Sequence, residues 1–369
     1  MDKFNSDYIK KVLFILPSLL ILLLLSLSAC GERSSEERVM QIADKIHSQS
    51  FTIDTHNDSP LYVNDSLRRA KTRMRIDQIT FDKMREGGLD ASLFAVFLRQ
   101  RGRDKHSLDS ATQLTIKLLE RFKNFVEMES GVELAHNSQQ LLKNKKEGNI
   151  SAMLAIENGY AIGDDLSNLE LFWNMGVRAI TLCHNSNNNI CDSSGDPLGP
   201  EYNGLSQFGK EVVREMNRLG IIIDLSHAST ETLFDVIEES SAPVMASHSA
   251  VRALKDHRRN LRDDEIKAIA SKGGLIQVAV VPAFLSDKPK NEVSLSDLAD
   301  HIDYIKNLVG IEHVGLGTDF DGGGGVVDLD GADKMKNLTV ELLKRGYSQK
   351  EIELFWGGNF IRFLEQQKM

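Results

Sequence analysis

Apolar positions along this chain come in two alternating textures. Short runs rich in Val, Ile, Ala and Leu lie at 51–55, 89–98, 150–156, 177–182, 221–225, 243–247, 274–280 and 313–317. They are mostly continuous, without polar residues at every second place, as suits strands buried on both faces of a parallel sheet. Between them lie stretches with apolar residues at helical spacing. In 108–128 these are Leu114, Leu118, Leu119 and Phe122; in 205–219 they are Leu205, Phe208, Val212, Val213 and Met216. Further helices are predicted over 230–239, 263–272, 295–309 and 338–345. Gly220, Gly273 and Gly310 stand just past three of these, where a helix end wants a residue that tolerates positive φ. Eight strands alternating with helices predict an α/β fold, either a closed (β/α)8 TIM-type barrel or a doubly wound sheet.

The polar residues that follow the strands favour the barrel. His56 and Asp58 follow the first run, Glu157 the third, His184 the fourth, His227 the fifth, His248 the sixth, and Asp319 and Asp321 the last. A barrel brings all these positions together at one face, where active sites are built. An open sheet would spread them along an edge. Each residue also has an ordinary reading. A single histidine at a strand end is commonly a hydrogen-bonded structural residue, carboxylates there cap helices, and Asp319 and Asp321 precede GGGG as turn formers would. All the ordinary readings would have to hold together, in a chain with ten histidines.

Imidazole nitrogen and carboxylate oxygen without sulfur suit catalytic zinc. His56 and Asp58, at i and i+2 of an extended strand end, share a face. Glu157 can reach both sides of a site and bridge two ions, and His227 with His248 would complete the second. Two ions bridged by a carboxylate and a hydroxide, ~3.5–4 Å apart, clamp a reacting carbonyl and supply a nucleophile at neutral pH. The predicted cofactor is therefore two Zn2+ per chain.

The N-terminus has its own pattern. Lys3, Lys10 and Lys11 precede an apolar run, VLFILPSLLILLLLSL, at 12–27. This reads as a secretory signal. A membrane-spanning anchor is the alternative, although the run is shorter than the roughly 20 residues a span needs and contains Pro17. Leu27-Ser28-Ala29-Cys30 resembles the lipobox of bacterial lipoproteins, which implies cleavage before Cys30 and lipid on its thiol. The expected organisation is a signal peptide at 1–29, a lipidated tether and first helix at 30–48, and a catalytic barrel at 49–369. The expected location is the cell envelope, on a membrane outside the cytoplasm. Length changes this little: 369 residues accommodate one barrel of ~250 residues or more with insertions. The net charge of −9 gives no support for nucleic-acid binding, which needs cations on phosphates. Cys183 and Cys191 could form one bridge or remain thiols.

The stretches DTHND (54–58), IENG (156–159), TLCHN (181–185), DLSHAS (224–229), SHS (247–249), RRN (258–260) and GLGTDFDG (315–322) resemble, in order and spacing, the membrane dipeptidase (renal dipeptidase) family. The resemblance covers about residues 50–325. It implies a metallo-dependent hydrolase barrel that cleaves dipeptides, and leaves open whether a C-terminal D-residue is accepted. It also implies roles: His56 and Asp58 on one zinc, Glu157 bridging, and His227 and His248 on the other. His184 would stabilise the oxyanion or hold the substrate carbonyl. Arg259 would bind the substrate's C-terminal carboxylate, a task suited to its fork of donors. Asp319 would shuttle the proton from water to the leaving amine. Asp321 is expected to be structural. Asn158 stands where the family pattern has Gly and is expected to alter the pocket wall. Arg258 and Arg259 could otherwise be a solvated loop, and His257 competes with His184 as a polar contact. His47, His106, His136, His301 and His313 read as structural or solvated.

Two other readings stay open. Other binuclear amidohydrolases, such as an N-acyl amino acid deacylase or a lactonase, generally use HxH on strand one and a modified bridging Lys, whereas this chain has HxD and no Lys at a central strand end. A binding lipoprotein without catalysis would have no need of Asp319 as proton carrier. Dipeptides and, through the lipid, a membrane are the expected partners, and a homodimer is compatible with the sequence.

Overall fold

The computed structural model describes residues 37–63 and 77–367. The expected signal segment, the lipidated Cys30 and the start of the tether lie outside the described residues. The chain divides into two units, residues 1–45 and 46–369. Residues 37–49 are helical. Among the described residues no helix is long and apolar enough to cross a membrane.

Among its described residues the second unit has nine parallel strands. They are β1 (Ile53–Asn57), β2 (Ala91–Phe97), β3 (Val132–Leu134), β4 (Ile150–Glu157), β5 (Val177–Thr181), β6 (Ile222–Asp224), β7 (Met245–Ser249), β8 (Leu275–Val278) and β9 (Val314–Leu316). Their order is β1-β2-β4-β5-β6-β7-β8-β9, with β3 paired to β4 off this path. Past its end β9 returns to β1: Asn57 bridges Phe320 in parallel, and Thr55 Oγ1 donates to Leu316 O at 3.1 Å. The result is a nearly closed eight-stranded α/β barrel, as expected. The three-residue β3 is additional; its run Val-Glu-Leu is too short to carry a strand pattern.

Alternation along the strands makes two cores. Ala91, Leu93 and Ala95 of β2 share one face and cluster with Ile53, Met153, Ala155, Ala179, Ile222, Met245 and Leu275 from the other strands. This is the barrel interior. The helix Asn359–Glu365 adds Phe360, Phe363 and Leu364 to it, and Asn359 donates to Val314 O at the start of β9. That helix therefore plugs the N-terminal end of the barrel. Burying each of these large side chains stabilises the fold by about 1.5–3 kcal/mol. The opposite faces, with Phe94, Val96, Ile156, Ile180 and Ile223, pack against the surrounding helices.

The helix limits are local chemistry. Ser206 and Ser229 accept from Gly209 N and Thr232 N to cap the helices Gln207–Leu219 and Thr230–Glu239, satisfying otherwise orphaned donors. Gly220 ends the first of these in the left-handed region, at φ 76°. Near the other mouth of the barrel, a Cβ on Gly317 would stand 1.7 Å from Ser247 O. Glycine there lets β9 approach β7 beneath the site.

Candidate active site

All the carboxylates and histidines singled out in the sequence converge at the C-terminal ends of the strands. Glu157 closes β4, while His184, His227 and Asp319 lie three residues beyond β5, β6 and β9. His56 and His248 lie inside β1 and β7, not after them as predicted. Both strands lose regular register there, between Asp54 and Asn57 and between Ala246 and Ser249. An irregularity of this kind re-aims side chains. His227 and Asp319 hold positive φ of 71° and 58°, a conformation that costs energy and clusters at functional sites.

Glu157 is the centre. Its Oε2 lies 3.8 Å from His56 Nε2. Its Oε1 lies 3.1 Å from His227 Nε2, 3.6 Å from His248 Nε2 and 3.9 Å from His184 Nε2. One carboxylate thus faces two groups of nitrogens. Ligand atoms of His56, Asp58 and Glu157 lie within 4.8 Å of one another, as do those of Glu157, His184 and His227. The rings of His56 and His248 stack with centroids 3.7 Å apart.

These groups fit metal. His227 Nε2 and His248 Nε2 are 3.1 Å apart, while His227 Nδ1 sits 3.1 Å from Asn185 Oδ1 and His248 Nδ1 sits 2.8 Å from Ser247 Oγ. With Nδ1–H given to the amide oxygen, His227 presents a bare Nε2. His56 Nε2 is buried with no hydrogen-bond partner. Burial first, and then the Arg259 charge among other causes, keep the imidazoles neutral. His184 is lowered to about 3, His227 and His248 lie well below the usual value, and His56, opposed by Asp224, is lowered to about 4. Neutral imidazole is the ligating form. Burial, then the charges of Asp58 and Asp319, push Glu157 well above the usual carboxylate range. Burial raises Asp319 to about 7 against the pull of Arg259. Buried carboxylates beside bare nitrogens call for cations.

Above them opens a cavity of about 440 Å3. Asp58, Glu157, His184, His227 and Asp319 line it, with Leu61, Tyr62, Phe97, Val281 and Phe284 as apolar walls. A Cβ on Gly322 would stand 2.2 Å from both Asp58 Oδ2 and Asp319 Oδ1. The glycine run therefore lets both carboxylates close on the same backbone. Arg259 also lines the cavity and is buried. Its Nη2 donates to His248 O at 3.0 Å, its Nε has no hydrogen-bond partner, and its guanidinium carbon lies 5.4 Å from the Phe284 ring centre. Burial lowers its pKa. Among the described residues it makes no ion pair with a carboxylate.

The sequence profile described as membrane dipeptidase (Peptidase family M19) matches residues 40–369. The chain belongs to the membrane dipeptidase family. It is thus a dipeptidase of a metallopeptidase family. Among its relatives, the dipeptidase aclJ of Aspergillus oryzae is 35% identical over 297 residues, 78% of this chain and 69% of the relative. The crystal structure of the probable dipeptidase PvdM from Pseudomonas aeruginosa is 29% identical, with a TM-score of 0.83 over 89% of this chain and 98% of that one. A metallo peptidase from Rhodobacter sphaeroides, liganded with a phosphinate mimic of L-Ala-D-Ala, shares the fold. Its TM-score is 0.77 at 23% identity, over 86% of this chain and 99% of that one.

In this member of the family, Asn158 does not do what the sequence suggested. It is absent from the cavity lining. At φ 85° it makes a turn, accepting from Tyr160 N and Asn188 Nδ2 and donating to Leu98 O. Asn tolerates positive φ where Gly is otherwise used, so the substitution preserves the turn and leaves the pocket wall untouched. His257 stacks on Phe284 at 4.7 Å on the Arg259 side, whereas His184 faces Glu157. Asp321 accepts from Gln78 N at 2.8 Å, which ties the strand-end loop to residue 78. Arg258 donates to Gly195 O. Cys183 and Cys191 are buried free thiols. His47 contacts Thr339, and His301 and His313 contact backbone carbonyls. Two buried carboxylates were missed. Asp54 accepts from Thr318 N and Oγ1, joining β1 to β9 beneath the site, and burial raises it to about 7. Asp224 accepts four hydrogen bonds beneath His248. Their signal was an Asp two or three residues before a site histidine.

Proposed function

We propose that this enzyme is a binuclear zinc dipeptidase in which Glu157 joins two metal half-sites. The supporting observation is the orientation of Glu157, with Oε2 toward His56 and Oε1 toward His227 and His248. His56 and Asp58 would hold one ion and His227 and His248 the other, with His184 beside the second. Zinc there would supply Lewis-acid polarisation of the scissile carbonyl and activation of water at neutral pH.

The protein's own groups do the rest. Arg259 is a buried cation with an unused Nε–H facing no carboxylate of its own, so a substrate's C-terminal carboxylate completes its pairing. Asp319, raised to about 7, can take a proton from the attacking water and return it to the leaving amine. His184 is neutral and donates an N–H toward the carbonyl oxygen as charge develops on it. Leu61, Tyr62, Phe97, Val281 and Phe284 give the cavity an apolar lining for a C-terminal side chain, and L,D-dipeptides are included among the proposed substrates. The lipobox-like sequence at Cys30 supports an enzyme held by lipid outside the cytoplasm; loss of palmitate labelling in Cys30→Ser would test this.

The direct test is a panel of L,L- and L,D-dipeptides, a dipeptide amide and an N-acetyl amino acid, assayed with zinc. The free dipeptides should be cleaved and the blocked ones poorly. No dipeptide turnover, or faster cleavage of the N-acetyl amino acid, would overturn the reading, the latter in favour of a deacylase.

A further inference from the structure

We infer that Asp224 and Ser247 are positioning residues that hold His248 in the Nδ1–H form and so present its bare Nε2 to the metal site. The inference rests on the metal reading above and is carried by a hydrogen-bond relay with one consistent set of proton positions.

Asp224 Oδ1 accepts from Ser226 N at 3.0 Å and Ser247 N at 2.8 Å. Its Oδ2 accepts from Thr181 Oγ1 at 2.5 Å and Ser247 Oγ at 2.6 Å. Ser247 has one hydroxyl proton and three neighbours. If that proton pointed at His248 Nδ1, the oxygens of Ser247 and Asp224 would meet lone pair to lone pair in a dry site, a costly arrangement. The proton therefore goes to Asp224. His248 Nδ1, 2.8 Å from Ser247 Oγ, must then be the donor. Ser226 Oγ, 3.3 Å from Ser247 Oγ, accepts from His248 N, which leaves its own proton free for Ser247. The lone pair of His248 thus sits on Nε2, toward His227 Nε2 and Glu157 Oε1. His227 is oriented differently, by a neutral amide, Asn185 Oδ1. A buried carboxylate acting through a hydroxyl orients and enriches the ligand more strongly than an amide does, and such supports are worth ~10–100-fold in metal affinity.

Asp224→Asn reverses the relay without changing shape. The two backbone N–H groups keep the amide oxygen at the Oδ1 place, so the NH2 faces Ser247. It donates to Ser247 Oγ, whose proton then turns to His248 Nδ1 and displaces the ring proton to Nε2. Ser247→Ala removes the relay altogether. The test uses the full chain with 15N-labelled histidine, metal-free for the tautomer and zinc-titrated against a competing chelator for affinity. His248 should be Nδ1–H in the parent and Nε2–H in Asp224→Asn. Both variants should bind one of two zinc ions ~10–100-fold more weakly. A His248 that stays Nδ1–H in Asp224→Asn, or two ions held as tightly by Ser247→Ala as by the parent, would overturn the inference. If Asp224→Asn does not fold, Ser247→Ala alone decides. A parent that binds no zinc would refute the proposed function instead, and the metal-free tautomer would still report on the relay.

Discussion

Replacing Arg259 with Met separates function from stability. The side chain is buried, and its cationic head makes one hydrogen bond, to His248 O. Without a carboxylate partner, a buried guanidinium costs several kcal/mol of desolvation, which a methionine of similar length avoids. Against this stand the lost charge-assisted bond, ~1.5–3 kcal/mol, and the His248 carbonyl left behind. The two sides nearly cancel, so the melting temperature should move little. Substrate binding has no such compensation. Removing one member of a buried, hydrogen-bonded charge pair costs ~2–5 kcal/mol, which is roughly 30- to 4,000-fold in kcat/KM at 1.4 kcal/mol per tenfold. The assay compares a free dipeptide with its C-terminal amide, in parent and variant, by product chromatography. The loss should fall on the free dipeptide, and the amide should be cleaved about equally by both proteins. An equal loss on both substrates would refute carboxylate recognition by Arg259, and a collapse of the melting temperature would show that the residue is structural.

Asp319→Asn should keep its metal and lose ~10²–10⁴-fold in turnover; an unaltered rate would remove the proton-carrier role. Asn158→Gly should keep both the turn and the dipeptide preference, because the position needs positive φ and lies outside the cavity; a changed preference across the panel would contradict this. In the metal-free protein the buried carboxylates and imidazoles should pull stability in opposite senses as pH changes. Asp54 and Asp319 are raised to about 7, so their contribution is complete below the unfolded carboxylate value of ~4 and is lost as pH rises through about 7. His56 and His184 are lowered to about 4 and about 3, so theirs is present above ~6.5 and is lost as pH falls through those values. Because the two sets oppose each other between about pH 4 and 6.5, the check compares metal-free Asp54→Asn with the metal-free parent in thermal melts: from about pH 4 to about 7 the variant's melting temperature should fall less, or rise more, than the parent's. Identical pH profiles would contradict the raised carboxylate.

The barrel was legible because its strands are buried on both faces and read as continuous apolar runs. The predicted run 150–156 became Ile150–Glu157, and the predicted helix 295–309 became Leu295–Val309. The C-terminal plug was not legible. Helical turns around Leu354–Gly358 and Asn359–Glu365 bury apolar side chains against the barrel, and packing on several faces erases a helical stripe. The residues proposed as ligands stood out because metal binding needs particular residue types at strand ends. Asp54 and Asp224 were not, because they act through hydrogen bonds to Thr318, Ser247 and Thr181, which come together only in three dimensions. Asn158 was misread for the complementary reason. A backbone requirement for positive φ looks, in one dimension, like a change in the pocket.

The most direct measurement is activity against zinc equivalents added to metal-free enzyme, with bound metal counted by mass spectrometry at each step. Dipeptide hydrolysis should rise to a plateau at two ions per chain, and Glu157→Gln, which weakens the group shared by both half-sites, should lower occupancy of both. A plateau at one ion, or full activity with no metal bound, would contradict a site built around a bridging Glu157.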